Sequence, residues 1–425
     1  MDRAKPNVVE NCRSGAPGIA GMALVQLTIA VIIATGAVWA APPVPLLAPG
    51  KPVNWWFVFK FNTGAAPGCA GTAARVCRFG GDVKTADHFS QQFAFASSAR
   101  PTLTAGGGCL GDTSADPVGA TFDQIYNGKF FFVVWNDQFD GHPIQSRGAP
   151  AGHSKGILAW DDSGAGVVMQ VTTPSWPGSG TADAPRQGDG NTLGCIEDNN
   201  VLVSQHFFAA RLKKGAVATM LKALVNANVV TDITKPQLAR NGGPAEIQDL
   251  VGKLGTAAKS TTPTMDKLPG GVVVISKPSG LHLPPWQLTS AMLGGEPLRV
   301  ATWWHAPLIP TTTSTTEIGC WLPSLSALGK PGPVEIATTG TWDGKTIGLK
   351  GTASAQGNHA KIGVSTGTKP LAIFGDLNQQ GALSGGPSQC DSSQNGRGGL
   401  FFVVNNRKLA ASVGALLKGE TAPAQ

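Results

Sequence analysis

The sequence predicts an α/β protein of two similar halves, each a mixed sheet flanked by helices, forming a pseudo-dimer in one chain. Three observations predict it. Gly152-His153-Ser154-Lys155-Gly156 has an echo in Gly357-Asn358-His359-Ala360-Lys361, and each is followed by an apolar run and then a polar turn. At 425 residues the chain has room for two ordinary cores. Its apolar content is ordinary, its charged content low, and Gly and Pro are plentiful, which suits a loop-rich α/β protein and not a disordered one.

The elements follow in order. Arg3, Lys5 and Arg13 precede a charge-free apolar run, residues 19–38, and Val38-Trp39-Ala40 has the small-residue spacing of a cleavage site. Residues 1–40 are therefore expected to be a signal peptide cut after Ala40 or Ala41. An uncleaved anchor is the alternative, since the run is nearly long enough to span a bilayer. Ala41-Pro42-Pro43 favours cleavage. Residues 41–230 then make the first half and residues 231–425 the second.

Residues 55–61 read as a central strand, with Lys60 snorkelling from its edge. Residues 64–120 read as loops and short elements. Residues 129–135 make a second buried strand that runs into Asn136-Asp137-Gln138, polar groups placed to orient a site or shape a turn. His153-Ser154-Lys155 continues through Ile157, Leu158 and Trp160. Asp161-Asp162-Ser163-Gly164 is a hairpin turn before a strand at 167–171. Residues 201–224 pass from strand to helix, with Val217, Leu221 and Leu224 inward and Arg211, Lys213, Lys214 and Lys222 outward. His206 between them is a core or capping histidine.

The stretch 231–268, soft in composition, holds the boundary between halves. Strands are expected at 272–276, 298–304 and 346–349, with helices at 288–293 and 409–417. Trp303 and Trp304 are expected to pack, and His305 to be structural, as the counterpart of Asn136.

Six cysteines remain after the leader: Cys69, Cys77, Cys109, Cys195, Cys320 and Cys390. An even count in an exported chain argues for disulfides, though six allow fifteen connectivities. The repeat makes Cys195 and Cys390 equivalent, which pairs them with Cys109 and Cys320 and leaves Cys69 to Cys77. No zinc-like spacing is present. Removing the leader's three basic and two acidic residues lowers the formal charge of +7 by one. That surplus favours anionic partners without naming one.

The chemistry lies in the two triplets. At strand period, residues i and i+2 share a face, so each triplet aims an imidazole and an ammonium into one space. One such triplet is common by chance, but this chain has only seven His and two of them occupy matching places. Two lysines can hold an anion, one neutral imidazole can act as a nucleophile, and a second, protonated one can serve a leaving group.

Duplicated His-x-Lys units with a downstream Asn resemble the phospholipase D superfamily, and the flanking text resembles its deoxyribonuclease II branch. The first unit is His153-Ser154-Lys155-Gly156, then Asp161-Asp162, then Pro174-Ser175-Trp176-Pro177. The second is His359-Ala360-Lys361, then Gly375-Asp376-Leu377-Asn378. Asn136-Asp137-Gln138 and Asn54-Trp55-Trp56-Phe57-Val58-Phe59-Lys60 match further family segments. The resemblance implies a phospholipase D-like fold and an acid endonuclease acting on the backbone of double-stranded DNA without base preference. It also implies 3′-phosphate products and no metal or other cofactor. His359 becomes the nucleophile and His153 the general acid, with Lys155, Lys361 and Asn378 completing the catalytic set. Asn136, Asp137, Gln138 and Ser175 become substrate-binding residues, Ser175 standing where many relatives have Asn. A secreted or periplasmic location follows from the leader, with no stable membrane association once it is cut. The alternatives are a secreted phosphodiesterase of the same superfamily acting on RNA or phospholipid, and a DNA-binding relative without activity.

Overall fold

The computed structural model describes residues 41–68, 91–111, 113–139, 144–145, 147–185, 202–256 and 260–424. The leader, Cys69, Cys77 and Cys195 lie outside the described residues.

The chain opens with β1 (Trp55–Lys60), β2 (Phe93–Ser97), β3 (Thr104–Ala105), α1 (Pro117–Tyr126), β4 (Phe131–Asn136), β5 (Lys155–Trp160) and β6 (Gly166–Val171). It continues with β7 (Gln205–Leu212), α2 (Lys214–Asn226) and β8 (Ala239–Arg240). These strands form an eight-stranded antiparallel sheet in the order β3-β2-β1-β7-β6-β5-β4-β8. Then come α3 (Ala245–Val251), β9 (Thr264–Leu268), β10 (Val272–Lys277), α4 (Pro285–Met292), β11 (Leu298–Ala301) and β12 (Val334–Ile336). The chain closes with β13 (Thr339–Trp342), β14 (Lys345–Gly348), β15 (Ile362–Ser365), β16 (Leu371–Gly375), α5 (Pro387–Cys390), β17 (Gly399–Asn405) and α6 (Arg407–Leu416). The second sheet has seven strands in the order β12-β11-β15-β16-β17-β10-β9, and its β11–β12 pair is parallel.

Laid side by side, β1-β7-β6-β5-β4 and β10-β17-β16-β15-β11 match strand for strand, while the edge strands differ, β8 pairing antiparallel with β4 and β12 parallel with β11. The helices match too: α1 and α4 precede β4 and β11, while α2 and α6 follow β7 and β17. The fold is thus α/β in two like halves.

Local sequence explains the elements. β1 and β17 are nearly continuous apolar runs, as strands covered on both faces must be. Helix α1 starts where the Asp116 carboxylate accepts the Val118 and Gly119 N–H groups, with Pro117 at the first helical position. Helix α2 buries Val217, Leu221 and Leu224 and turns Lys222 to solvent, as the periodicity predicts.

A shared apolar layer joins the halves. Phe57 and Phe208 of the first sheet stack on Phe374 of the second, with centroids 4.2 and 4.9 Å apart. Such pairs contribute about 0.5–1.5 kcal/mol each beyond their burial. Residues 41–425 accordingly form one compact unit. Separate outer cores pack around α1 and around Trp286 of α4.

Several expectations need correction. Lys60 does not snorkel: β1 lies inside the sheet, and the side chain has no exposed surface. Helix α3 and strand β9 occupy the stretch read as soft sequence, because Gly and Pro density hid short elements, and α1 runs on from the region of loops and short elements into residues given no element. Residues 345–348 pair only in the β13–β14 hairpin. Register also changes one equivalence. Asn136 pairs with Lys155, and Ala301 pairs with Ile362, so Thr302 stands opposite Lys361 and is the counterpart of Asn136. Trp303 then corresponds to Asp137, and exposed His305 lies beyond both.

Candidate active site

Both triplets lie at the mouths of equivalent strands. Strand β5 begins at Lys155 and β15 at Ile362, so the histidines sit just before regular pairing begins. Cross-half main-chain bonds hold them. The His153 N–H donates to Gly398 O at 2.7 Å, and the His359 N–H donates to Ser204 O at 2.7 Å. Each histidine is anchored on the chain of the opposite half, and the two bonds are related by the same pseudo-symmetry as the sheets.

The rings repeat the pattern. His153 Nδ1 lies 2.8 Å from the Asp376 carbonyl. His359 bonds the main chain of Thr172, and its Nδ1 lies 3.2 Å from Gln205 Oε1. A carbonyl only accepts, so Nδ1 of His153 carries the proton and Nε2 the lone pair; the Gln205 amide oxygen, also an acceptor, orders His359 in the same way. Each residue retains 6 % of its surface, enough to meet a ligand in a recess.

Charge is concentrated here. Burial, then Lys155, Arg397 and Lys361, hold His153 well below the ordinary imidazole range. Burial, then Lys361, Lys155 and His153, do the same to His359. The two imidazoles and two ammonium groups therefore share one electrostatic neighbourhood. Burial, then Lys155, also pushes Lys361 well below the usual lysine range.

The two lysines have different partners. Lys155 forms a buried ion pair with Asp137 Oδ1, and Arg397 donates to Asp137 Oδ2 at 2.8 Å. Burial alone would raise the Asp137 carboxyl, but the two cations outweigh it and hold the group below its usual value. Arg397 also reaches the carbonyls of Arg147, Ala151 and Gly152. It thus ties the second half to the strand entry that carries His153. Lys361 has no such acid: among the described residues its ammonium donates only to the His359 carbonyl, at 2.7 Å. Two of its three N–H donors remain for an anion.

Asp376 links the halves from behind. Its carboxylate accepts from Gln170 Nε2 and the Leu400 N–H, both at 2.9 Å, and from the Ser154 hydroxyl. Burial pushes its pKa up to about 7 against those donors. Gln170 Oε1 faces His206 Nε2, and His206 Nδ1 accepts the Lys361 N–H at 3.1 Å. Burial and then Lys361 hold His206 well below its ordinary value, which keeps it a neutral acceptor. His206 is a core histidine, as expected, but it also seats the second triplet.

The other candidates shape the walls. Asn136 donates to the Thr173 and Trp176 carbonyls and accepts the Gln138 N–H, so its side chain holds the 173–176 turn. Ser175 sits in that turn with φ 62°, its N–H on the Gln138 carbonyl. Asn378 Nδ2 donates to Gln380 Oε1 at 2.8 Å. Gln138 Oε1, Thr173 Oγ1, Ser204 Oγ and Asn378 Oδ1 are buried without a hydrogen-bond partner. Unpaired buried polar atoms are costly, and Arg299 Nε, Gln379 Oε1 and Asn395 Oδ1 share this state among the described residues.

Sequence reasoning missed Arg397, Gln170 and Gln205 and assigned no role to Asp376. Asp376 carried a signal, its place in the Gly375–Asn378 motif. Arg397 carried only a weak one, a lone cation in a Gly-rich run before β17.

An α/β chain of two like halves, each bringing a His-x-Lys unit into one shared electrostatic neighbourhood, is phospholipase D-like in architecture. Residues 46–233 match the family model described as Deoxyribonuclease II, which supports a deoxyribonuclease II assignment. That span holds the first sheet through β7 and the His153 unit, while the His359 unit lies beyond it. None of the curated proteins compared with the chain matches it. The family implies a nuclease, hence a hydrolase.

Proposed function

We propose that the protein is a metal-independent acid endonuclease that cuts double-stranded DNA to 3′-phosphate and 5′-hydroxyl ends through a phosphohistidine. The supporting observation is the crossed anchoring of the two imidazoles, each ring held through Nδ1 by the opposite half with Nε2 left to react. Nε2 of His359 attacks phosphorus, the P–O5′ bond breaks, and protonated His153 gives its proton to the departing oxygen. His153, now neutral, takes a proton from water as that water attacks phosphorus. The P–N bond breaks and the 3′-phosphate leaves. Lys155, Lys361 and Asn378 stabilise the growing charge. Asp137 positions Lys155, while Asn136, Gln138 and Ser175 form the wall that receives the substrate.

An acid working range follows from the surroundings of the rings. Burial and nearby cations depress both imidazoles, so only an acid medium protonates the one that must act as an acid. The protein is proposed to act in an exported, oxidising compartment, which the Cys320–Cys390 disulfide supports.

The test is cleavage of plasmid DNA in EDTA at about pH 5, where an ordinary imidazole is mostly charged. Wild type is expected to cut, and His359→Ala to lose several orders of magnitude in rate. Trapped phosphoryl-enzyme should carry its label on His359. A label on His153 exchanges the two roles, and DNA binding with no cleavage at any pH removes the reading.

A further inference from the structure

The pseudo-symmetry breaks where β4 and β11 end. The first half has Asp137 there, paired with its lysine. The second half has Trp303, whose ring meets the His359 ring edge to face at 5.2 Å and 83°. Trp303 is half-buried, and exposed His305 follows at 6.4 Å from its ring. The indole therefore lies between a buried reacting group and the surface.

Its surroundings hold it still. A Cβ at Gly351 would stand 3.0 Å from Trp303 Cγ and closer still to its carbonyl carbon, so the chain at 351 packs tightly against this residue. The segment that follows is tied to the site, since Gln380 donates to the carbonyls of His305 and Ala306 and accepts from Asn378. Trp56, Trp135, Trp160, Trp286 and Trp304 give their indole N–H to protein acceptors, whereas, among the described residues, Trp55, Trp321 and Trp342 do not. Among the described residues, the Trp303 N–H has none.

We propose that Trp303 is a nucleobase platform: its indole takes the base beside the scissile phosphate. This rests on the nuclease reading above. A phosphate drawn into a recess strains the stacking of its neighbouring base, and an aromatic face at the rim replaces the stacking lost. Stacking tolerates every base, so the platform adds affinity without sequence preference.

The experiment uses an end-labelled duplex with one tetrahydrofuran abasic residue and reads the cutting rate at every phosphate, in EDTA at acid pH. Wild type should cut a phosphate flanking the abasic residue about 10- to 100-fold more slowly than the same phosphate in intact duplex. Trp303→Ala should cut intact duplex slower by a similar factor and lose the dip at the abasic residue. Trp303→Phe should keep both the rate and the dip. If Trp303→Ala does not fold, Trp303→Phe against Trp303→Leu makes the same comparison. A wild-type profile without a dip, or a dip that survives in Trp303→Ala or Trp303→Leu, overturns the platform and leaves the nuclease reading standing. Wild type that cuts nothing sinks the nuclease reading and the platform with it.

Discussion

Asp376 shows how much one side chain can carry. Its carbonyl orients the His153 ring, and its carboxylate collects donors from Ser154, Gln170 and Leu400. Burial lifts its pKa from 3.8 to about 7. The folded protein thus holds this proton more tightly than the unfolded chain does. The stability gained is fully present below about pH 3.8 and is lost as pH rises through 7. An amide at this position does not titrate. Asp376→Asn should therefore gain stability relative to wild type as the buffer moves from pH 4 to pH 8, measured by urea denaturation at each pH. A stability difference that stays flat, or moves the other way, rules out a buried carboxyl that titrates late. At the same scale, Arg397 and Asp137 decide that the two lysines are not equivalent. Removing either partner of such a buried pair leaves an uncompensated charge, and this is why the triad spans both halves as a unit.

Among the elements, the segment from β11 to β15 is the least regular part of the second half. It holds one short parallel strand, a separate hairpin and long loops. The Cys320–Cys390 disulfide ties it to α5 across 70 residues of sequence, and this is one of the pairings expected from the repeat. Cys109 is also disulfide-bonded. A cross-link of this span limits the unfolded chain and is worth roughly 2–4 kcal/mol. Replacing Cys320 and Cys390 together by Ser should lower stability by about that amount in urea, with the far-ultraviolet spectrum retained at low denaturant. No measurable change would mean that packing around Leu281, Leu283 and Leu288 alone organises the segment. The buried lysines at the ends of β1 and β10 are equivalent elements of the two sheets. Burial brings both Lys60 and Lys277 down to about 7, and Lys277 is held by the carbonyls of Asn395 and Arg397.

For the whole molecule, the central question is whether two halves behave as two bodies. Phe374 of β16 contacts Phe57 and Phe208 of the other sheet, so removing it opens a cavity that both halves line. Phe374→Ala should cost about 3–5 kcal/mol. Far-ultraviolet ellipticity and tryptophan fluorescence should still move together in a single urea transition. Two separated transitions would show that each half folds alone and that the layer between them is a docking surface. Cooperative folding matters for the site because each histidine is anchored by the opposite half.

Much of this was legible from residues alone. Apolar runs at 55–60 and 399–405, the periodic face of α2 and the turn at 161–164 follow local rules, and local rules act on neighbours in sequence. The repeat of His-x-Lys pointed to two halves, and the nearby motifs to a nuclease family. The short helix α3 escaped because the Gly and Pro before it mask a helix of two turns.

The sequence by itself determined the element types, the duplication and the candidate reacting groups, because periodicity and composition are properties of adjacent residues. Only the tertiary structure decided that His153 rests on Asp376 and Gly398, and His359 on Thr172 and Ser204. It alone decided that Arg397 neutralises Asp137 and that Trp303 replaces an acid in the second half. Those outcomes depend on strand register and on contacts between residues more than 150 positions apart, distances at which chain order carries no geometric information.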